Sequence, residues 1–149
     1  MMELYKKLIS SEIYKEWKSN NKDSFLCSYV SIQSPQFDFY NGDNTMTSFV
    51  MNDEIELVEN EEIYNKTKIK PLDLKKITSE EKAIDLVKKK YSKEKFTKQI
   101  VILQNSERQV WNLLFITASM KILNVKIDMY NKIISENFEP MTKFMKQVK

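Results

Sequence analysis

Three groups of side chains could do chemistry. The first is an acidic run: Asp53, Glu54, Glu56, Glu59, Glu61 and Glu62. Paired carboxylates can move protons or hold hard cations. Alternation argues against that use. In a strand, Glu54 and Glu56 share one face while Ile55 and Leu57 point to the core, so the run reads as a solvated strand face. "DEIELVENEE" also lacks the glycine and ligand order of a calcium-binding loop. The second candidate is the lone cysteine, Cys27. Histidine is absent, which removes the commonest general base, the Ser-His and Cys-His nucleophile systems and most zinc sites from this chain. Cys27 lies inside an apolar strand pattern and reads as a buried structural thiol. The third candidate is lysine. Residues 66–98 hold twelve lysines against five acids, Asp73, Glu80, Glu81, Asp85 and Glu94. "KKKYSKEKFTK" interleaves Tyr91 and Phe96 with Lys88, Lys89, Lys90, Lys93 and Lys95, as nucleic-acid binders do. The same lysines also suit a helix C-terminus, where they complement the dipole. No RRM, KH or helix-turn-helix signature accompanies them. Arg108 is the only arginine, which weakens base or phosphate recognition. The single glycine, Gly42, leaves no Gly-rich phosphate loop. The residues therefore nominate no catalytic, cofactor or metal site, and Lys88, Lys89, Lys90, Lys93 and Lys95 as partner-binding candidates.

The totals bound what can position these groups. The 149 residues are 42% apolar, 11% aromatic and 30% charged, with a net charge of +3. That suffices for one packed core, in one domain or in two small units sharing it. No apolar run of about 18 residues spans a membrane. The first residues carry charges throughout, unlike a secretory signal, and one cysteine permits no intrachain disulfide. These features predict a cytoplasmic protein.

Periodicity supplies the elements. Tyr5, Ile9, Ile13 and Trp17 recur every four residues and predict a helix over 2–20. "SFLCSYVSIQ" predicts a strand with Phe25, Cys27 and Tyr29 on one side and Leu26, Val30 and Ile32 on the other. Pro35 breaks it. "QFDFY", the turn "NGDN", "TMTSFVM", the turn "ND" and "EIELVENEEIY" continue as a meander, with Asn41 and Gly42 both accepting positive φ. A connector holding Pro71, Leu72, Leu74 and Ile77 follows. "TSEE" predicts a capping box, with Thr78 as the cap and Glu81 reaching back. The helix runs to about residue 92 with Ala83, Ile84, Val87 and Tyr91 inward. "TKQIVILQ", "QVWNLLFITA", "SMKILNVKID" and "KIIS" predict four strands, the second buried on both faces. Pro140 opens a short helix with Met141, Phe144 and Met145 inward. With one glycine available, asparagine takes over positive φ, at Asn131 and also at Asn20, Asn52 and Asn105.

"SEEKAIDLVKKKY" followed by "VWNLLFITASMKILNVKIDMYNKIIS" resembles the PepSY domain, a small cystatin-like unit. Trp111, Leu113 and Phe115 stand where that family has a Trp-x-Val/Leu-x-Phe strand, and Asp128 matches the aspartate ending its next strand. Asn131 and Lys132 depart from the Gly-Glu that follows in the family. The resemblance covers residues 70–138. It implies a helix cradled by a curved antiparallel sheet, and a non-catalytic role in binding or inhibiting a protein, often a peptidase. PepSY-like units usually lie outside the cytoplasm or beside membrane segments.

The expectation is an α+β fold: a helix packed on a curved antiparallel sheet, cystatin-like, with one such unit over 69–149 or two repeated α-plus-meander units, 1–68 and 69–149. "MNDEIELVENE" and "MYNKIISENFE" carry the repeat, each placing Asn or Asp before an isoleucine at one spacing. The expected function is a non-enzymatic module binding a protein or peptide, by strand addition at a sheet edge or as a homodimer, without cofactor or membrane. Electrostatic nucleic-acid binding through 88–98 is the second expectation. A small-ligand site in the cup of the sheet is the third.

Overall fold

The computed structural model describes residues 1–63 and 68–142. Helices α1 (Met2–Ile9) and α2 (Glu12–Ser19) precede strands β1 (Phe25–Ser31), β2 (Pro35–Tyr40), β3 (Thr45–Met51) and β4 (Ile55–Glu62). A 3-10 turn (Leu74–Lys76) and helix α3 (Glu80–Lys90) lead into β5 (Phe96–Asn105), β6 (Gln109–Thr117), β7 (Lys121–Asp128) and β8 (Ile133–Pro140). This is an α+β fold. All eight strands form one antiparallel sheet in the order β4-β3-β2-β1-β5-β6-β7-β8. The first strand of each meander therefore meets the other at the centre, and each meander runs outward to an edge.

Side-chain alternation makes one sheet face apolar. A line of directly paired residues crosses all eight strands on that face: Leu57, Phe49, Phe37, Tyr29, Leu103, Trp111, Ile127 and Ile133. The helices cover it. Trp17 meets Phe39 and Phe49 edge-on at 5.1 and 5.2 Å between ring centroids, and Tyr5 meets Phe37 at 5.5 Å. Ala83 and Val87 of α3 are fully buried in the same cluster as Trp111, Leu113 and Val125. One continuous core thus serves both halves. Each large side chain taken fully out of water adds about 1.5–3 kcal/mol. Polar clamps add to it. The Tyr29 hydroxyl donates to Glu80 Oε2 at 3.2 Å, joining β1 to α3. The Gln109 amide accepts from Asp73 N and donates to Asp73 O, and Asn105 Nδ2 donates to Pro71 O, so amide side chains satisfy the connector's backbone.

Several local expectations need correction. The helix over 2–20 is two helices, because the Ser11 hydroxyl accepts from Tyr14 N and restarts the helix after Ser10. Four-residue spacing continues across such a break and hides it. In β1 a bulge between Leu26 and Ser28 turns Leu26 to the helix face with Tyr29, so the side-by-side set Phe25, Cys27 and Tyr29 does not form. The cap of α3 is Ser79, whose Oγ accepts from Lys82 N at 3.3 Å; Thr78 is taken by another partner. Asn131 has φ 61 as expected, whereas Asn44, Asn60 and Met120 are the other non-glycine residues at positive φ among those described. Asn20 is right-handed helical, and Asn41, Asn52 and Asn105 do not have positive φ, while Gly42 does at 85. β6 is sealed on one face only, since Leu114 and Ile116 remain half-buried. Pro140 closes β8, paired with Lys121, and the helix expected from it starts one residue later, at Met141. Of the inward set for a helix beyond it, Phe144 and Met145 lie outside the described residues.

Candidate interaction face

The sheet face away from the helices is built by the alternate residues of the same strands. Its central line of direct pairs reads Glu56, Val50, Gln36, Val30, Ile102, Asn112, Lys126 and Ser135. A solvated antiparallel face is ordinarily polar. This one has an aliphatic centre. Val30, Ile100, Ile102, Leu114, Ile116 and Ile122 are all half-buried, and Ile32 is 61% exposed. None is sealed, whereas Val101, Leu103, Leu113 and Phe115 behind them are at most 1% exposed.

A depression of about 510 Å³ lies in this centre, lined by Ile32, Lys98, Ile100, Leu114 and Ile116 among others. Register explains it. β5 pairs with β1 only from Val101 to Gln104, so its first residues have no neighbouring strand on that side. Beside it, the Oδ1 atoms of Asn112 and Asn124 are buried without a hydrogen-bond partner. The helix-facing side of the sheet, by contrast, is filled by the core cluster.

Towards the other end of the strands the face turns polar and self-satisfied. Asp38, 5% exposed, accepts from Gln36 Nε2 at 2.7 Å and Ser48 Oγ at 2.6 Å on one oxygen, and from Ser28 Oγ at 2.8 Å on the other. Three donors compensate the carboxylate's burial. Cys27 sits in the bulge beside it, buried, its Sγ donating to Asp38 O at 3.4 Å. Burial first, then the Asp38 carboxylate, push its thiol up to about 12. It is a structural thiol, not a poised nucleophile.

Asp128 ends β7 with its carboxylate turned into its own turn. Tyr130 N and Lys132 N both donate to Oδ1 at 2.9 Å, and Arg108 pairs with Oδ2 at 3.1 Å. Burial raises this acid, but the two backbone donors and Arg108 outweigh it and hold it below the ordinary carboxylate value. Asp128 thus shapes a turn.

The nominated lysines lie elsewhere. Lys88, Lys89 and Lys90 end α3, and Lys93 and Lys95 follow in the next turn, all exposed. They belong to the helix layer, not to the open face. Lys90 Nζ is bound to Glu136 of β8 at 2.6 Å, which straps the helix end to the sheet edge. The acidic run lies along β4 and the turn before it, and among the described residues no three Cys, Asp or Glu side chains converge on a common point. Reading the sequence missed the open face. Its signal was present in the apolar residues alternating with core positions in "VILQ" and "WNLLFI", the second of which reads as a strand buried on both faces. No helix among the described residues is long and apolar enough to cross a membrane. No family model, curated protein or solved structure matches the chain.

Proposed function

We propose that the chain is a non-enzymatic interaction module whose open sheet face binds a protein or peptide. The observation that carries this is the uncovered aliphatic centre of that face, running from Val30 and Ile32 to Leu114, Ile116 and Ile122. Contiguous apolar surface of this kind with a polar rim marks interaction sites. The face is a better candidate than the β4 edge, where Glu56, Glu59, Glu61 and Glu62 oppose strand addition. We also read each half as a cystatin-like unit of a tandem pair. The mirrored strand order supports this, as does the placement of "MNDEIELVENE" and "MYNKIISENFE" in the two edge hairpins. The PepSY resemblance of residues 70–138 agrees, since Trp111, Leu113 and Phe115 line one side of β6.

The test is capture by the immobilised chain and by its Leu114→Lys variant, with nuclease present. A protein retained by the native chain and lost with the variant supports the reading. Identical captures by both would sink it.

A second reading, electrostatic nucleic-acid binding, rests on Lys88, Lys89, Lys93 and Lys95, which are exposed with no salt bridge among the described residues. Changing these four to Glu should abolish salt-sensitive binding to single-stranded RNA. Binding that ignores the change rejects it.

A further inference from the structure

Resting on the open-face reading, we infer that the occupant of that face is a second copy of this chain, stacked sheet on sheet about a twofold axis parallel to the strands, between β1 and β5. Three observations select it. The first is the central line itself. The axis passes between Val30 and Ile102, a direct pair. Rotation about it lays each half of the line on the other half of the second copy. Val30 then meets Ile102, Gln36 meets Asn112, and Val50 meets the stem of Lys126, with Glu56 one strand away from that ammonium. Apolar meets apolar and amide meets amide. Ile32 likewise meets Ile100, at the notch that β1 leaves open. Aligned sheets stack about 10 Å apart and within about 30° of parallel, close enough to keep these pairings.

The second observation is charge. Residues 1–63 carry twelve acidic against five basic side chains, and the rest of the chain nine against nineteen. On the face itself, Glu56 and Glu61 lie on the acidic flank, and Lys98 and Lys126 on the basic half, which also carries Glu139 and the Arg108-paired Asp128. An axis along the strands places the acidic half of each copy over the basic half of the other, twice. An axis across the strands would place acid over acid and base over base, so charge chooses between the two orientations. The third is size. Eight strands at about 4.8 Å spacing and about seven residues long present roughly 800 Å², the area a standard interface takes from each partner.

The experiment is sedimentation equilibrium of the full chain over a concentration and salt series. The expected mass is twice 17.8 kDa, with the dimer weakening as salt rises. Ile102→Lys should weaken association at least about 100-fold, since it puts two like charges at the axis. Lys126→Glu, on the surface and safe for folding, should weaken it about tenfold, and so should Glu56→Lys. The double variant should recover most of that loss, because the two sites exchange charge across the axis. A chain that stays monomeric at high micromolar concentration overturns the inference, as does a dimer indifferent to both Ile102→Lys and Lys126→Glu. If a monomeric chain still captures a different protein that Leu114→Lys abolishes, the second copy fails while the open-face module stands.

Discussion

The indole N–H of Trp111 donates to the Thr78 hydroxyl at 3.1 Å. Trp111 is fully buried near the start of β6, and Thr78 lies just before α3. One hydrogen bond thus ties the largest core side chain to the point where α3 begins. Thr78→Val keeps the shape and removes the acceptor. It should cost about 1–3 kcal/mol, the penalty of a buried donor left unpaired. Ser79→Ala removes the helix cap and should cost about 1 kcal/mol. Urea unfolding of both variants checks the assignment. A harmless Ser79→Ala with a costly Thr78→Val explained by lost helicity alone would reverse it.

Asp128 gives the fold an acid-side dependence. Its carboxyl is held below its ordinary 3.8 in the folded state. Its contribution is therefore present above that value and lost as pH falls through the lowered folded value. Asp128→Ala should lower the melting temperature at about pH 7, and the loss should shrink as pH falls below the ordinary carboxylate value. Equal losses above and below it would show that the carboxylate's charge plays no part.

Cys27 gives an alkaline dependence of opposite sign. The folded state holds the thiol protonated up to about 12, against an ordinary 9.0. The unfolded chain releases that proton first, so stability falls as pH rises between these values. The native chain should resist alkylation at neutral pH, with labelling limited by unfolding. Rapid labelling under native conditions would contradict the burial. Cys27→Ser should flatten part of the alkaline decline.

Met120 and Asn131 both sit at φ 61, in the turns at opposite ends of β7. Asparagine tolerates that conformation and methionine does not. Met120→Gly should stabilise the chain by about 1 kcal/mol, through relief of left-handed strain. Asn131→Gly should change little, and Asn131→Val should cost about 1–2 kcal/mol. Thermal melts of the three variants give the order. A destabilising Met120→Gly would mean that its 58% exposed side chain makes a contact worth more than the strain.

The sequence by itself determined the class of structure and most of its pieces. Period-two alternation in "PQFDFY", "TMTSFVM" and "VKID" specifies strands because a strand has only two faces, and "NGDN" specifies its turn because few residues accept positive φ. Local rules reached less far where two signals overlap. Ser11 interrupts a helix whose apolar spacing runs on regardless, and Thr78 and Ser79 are equally good caps until Trp111 claims one of them. Met120 is a left-handed residue that no propensity marks.

What only the tertiary structure decided is which strands are neighbours and which faces stay open. Pairing β1 with β5 joins residues 70 to 76 positions apart, and no local pattern encodes a contact at that separation. That pairing merges two meanders into one sheet with α1, α2 and α3 on one side. It leaves Val30, Ile102, Leu114 and Ile116 on the other, so that aliphatic residues which in sequence look like more core become a surface.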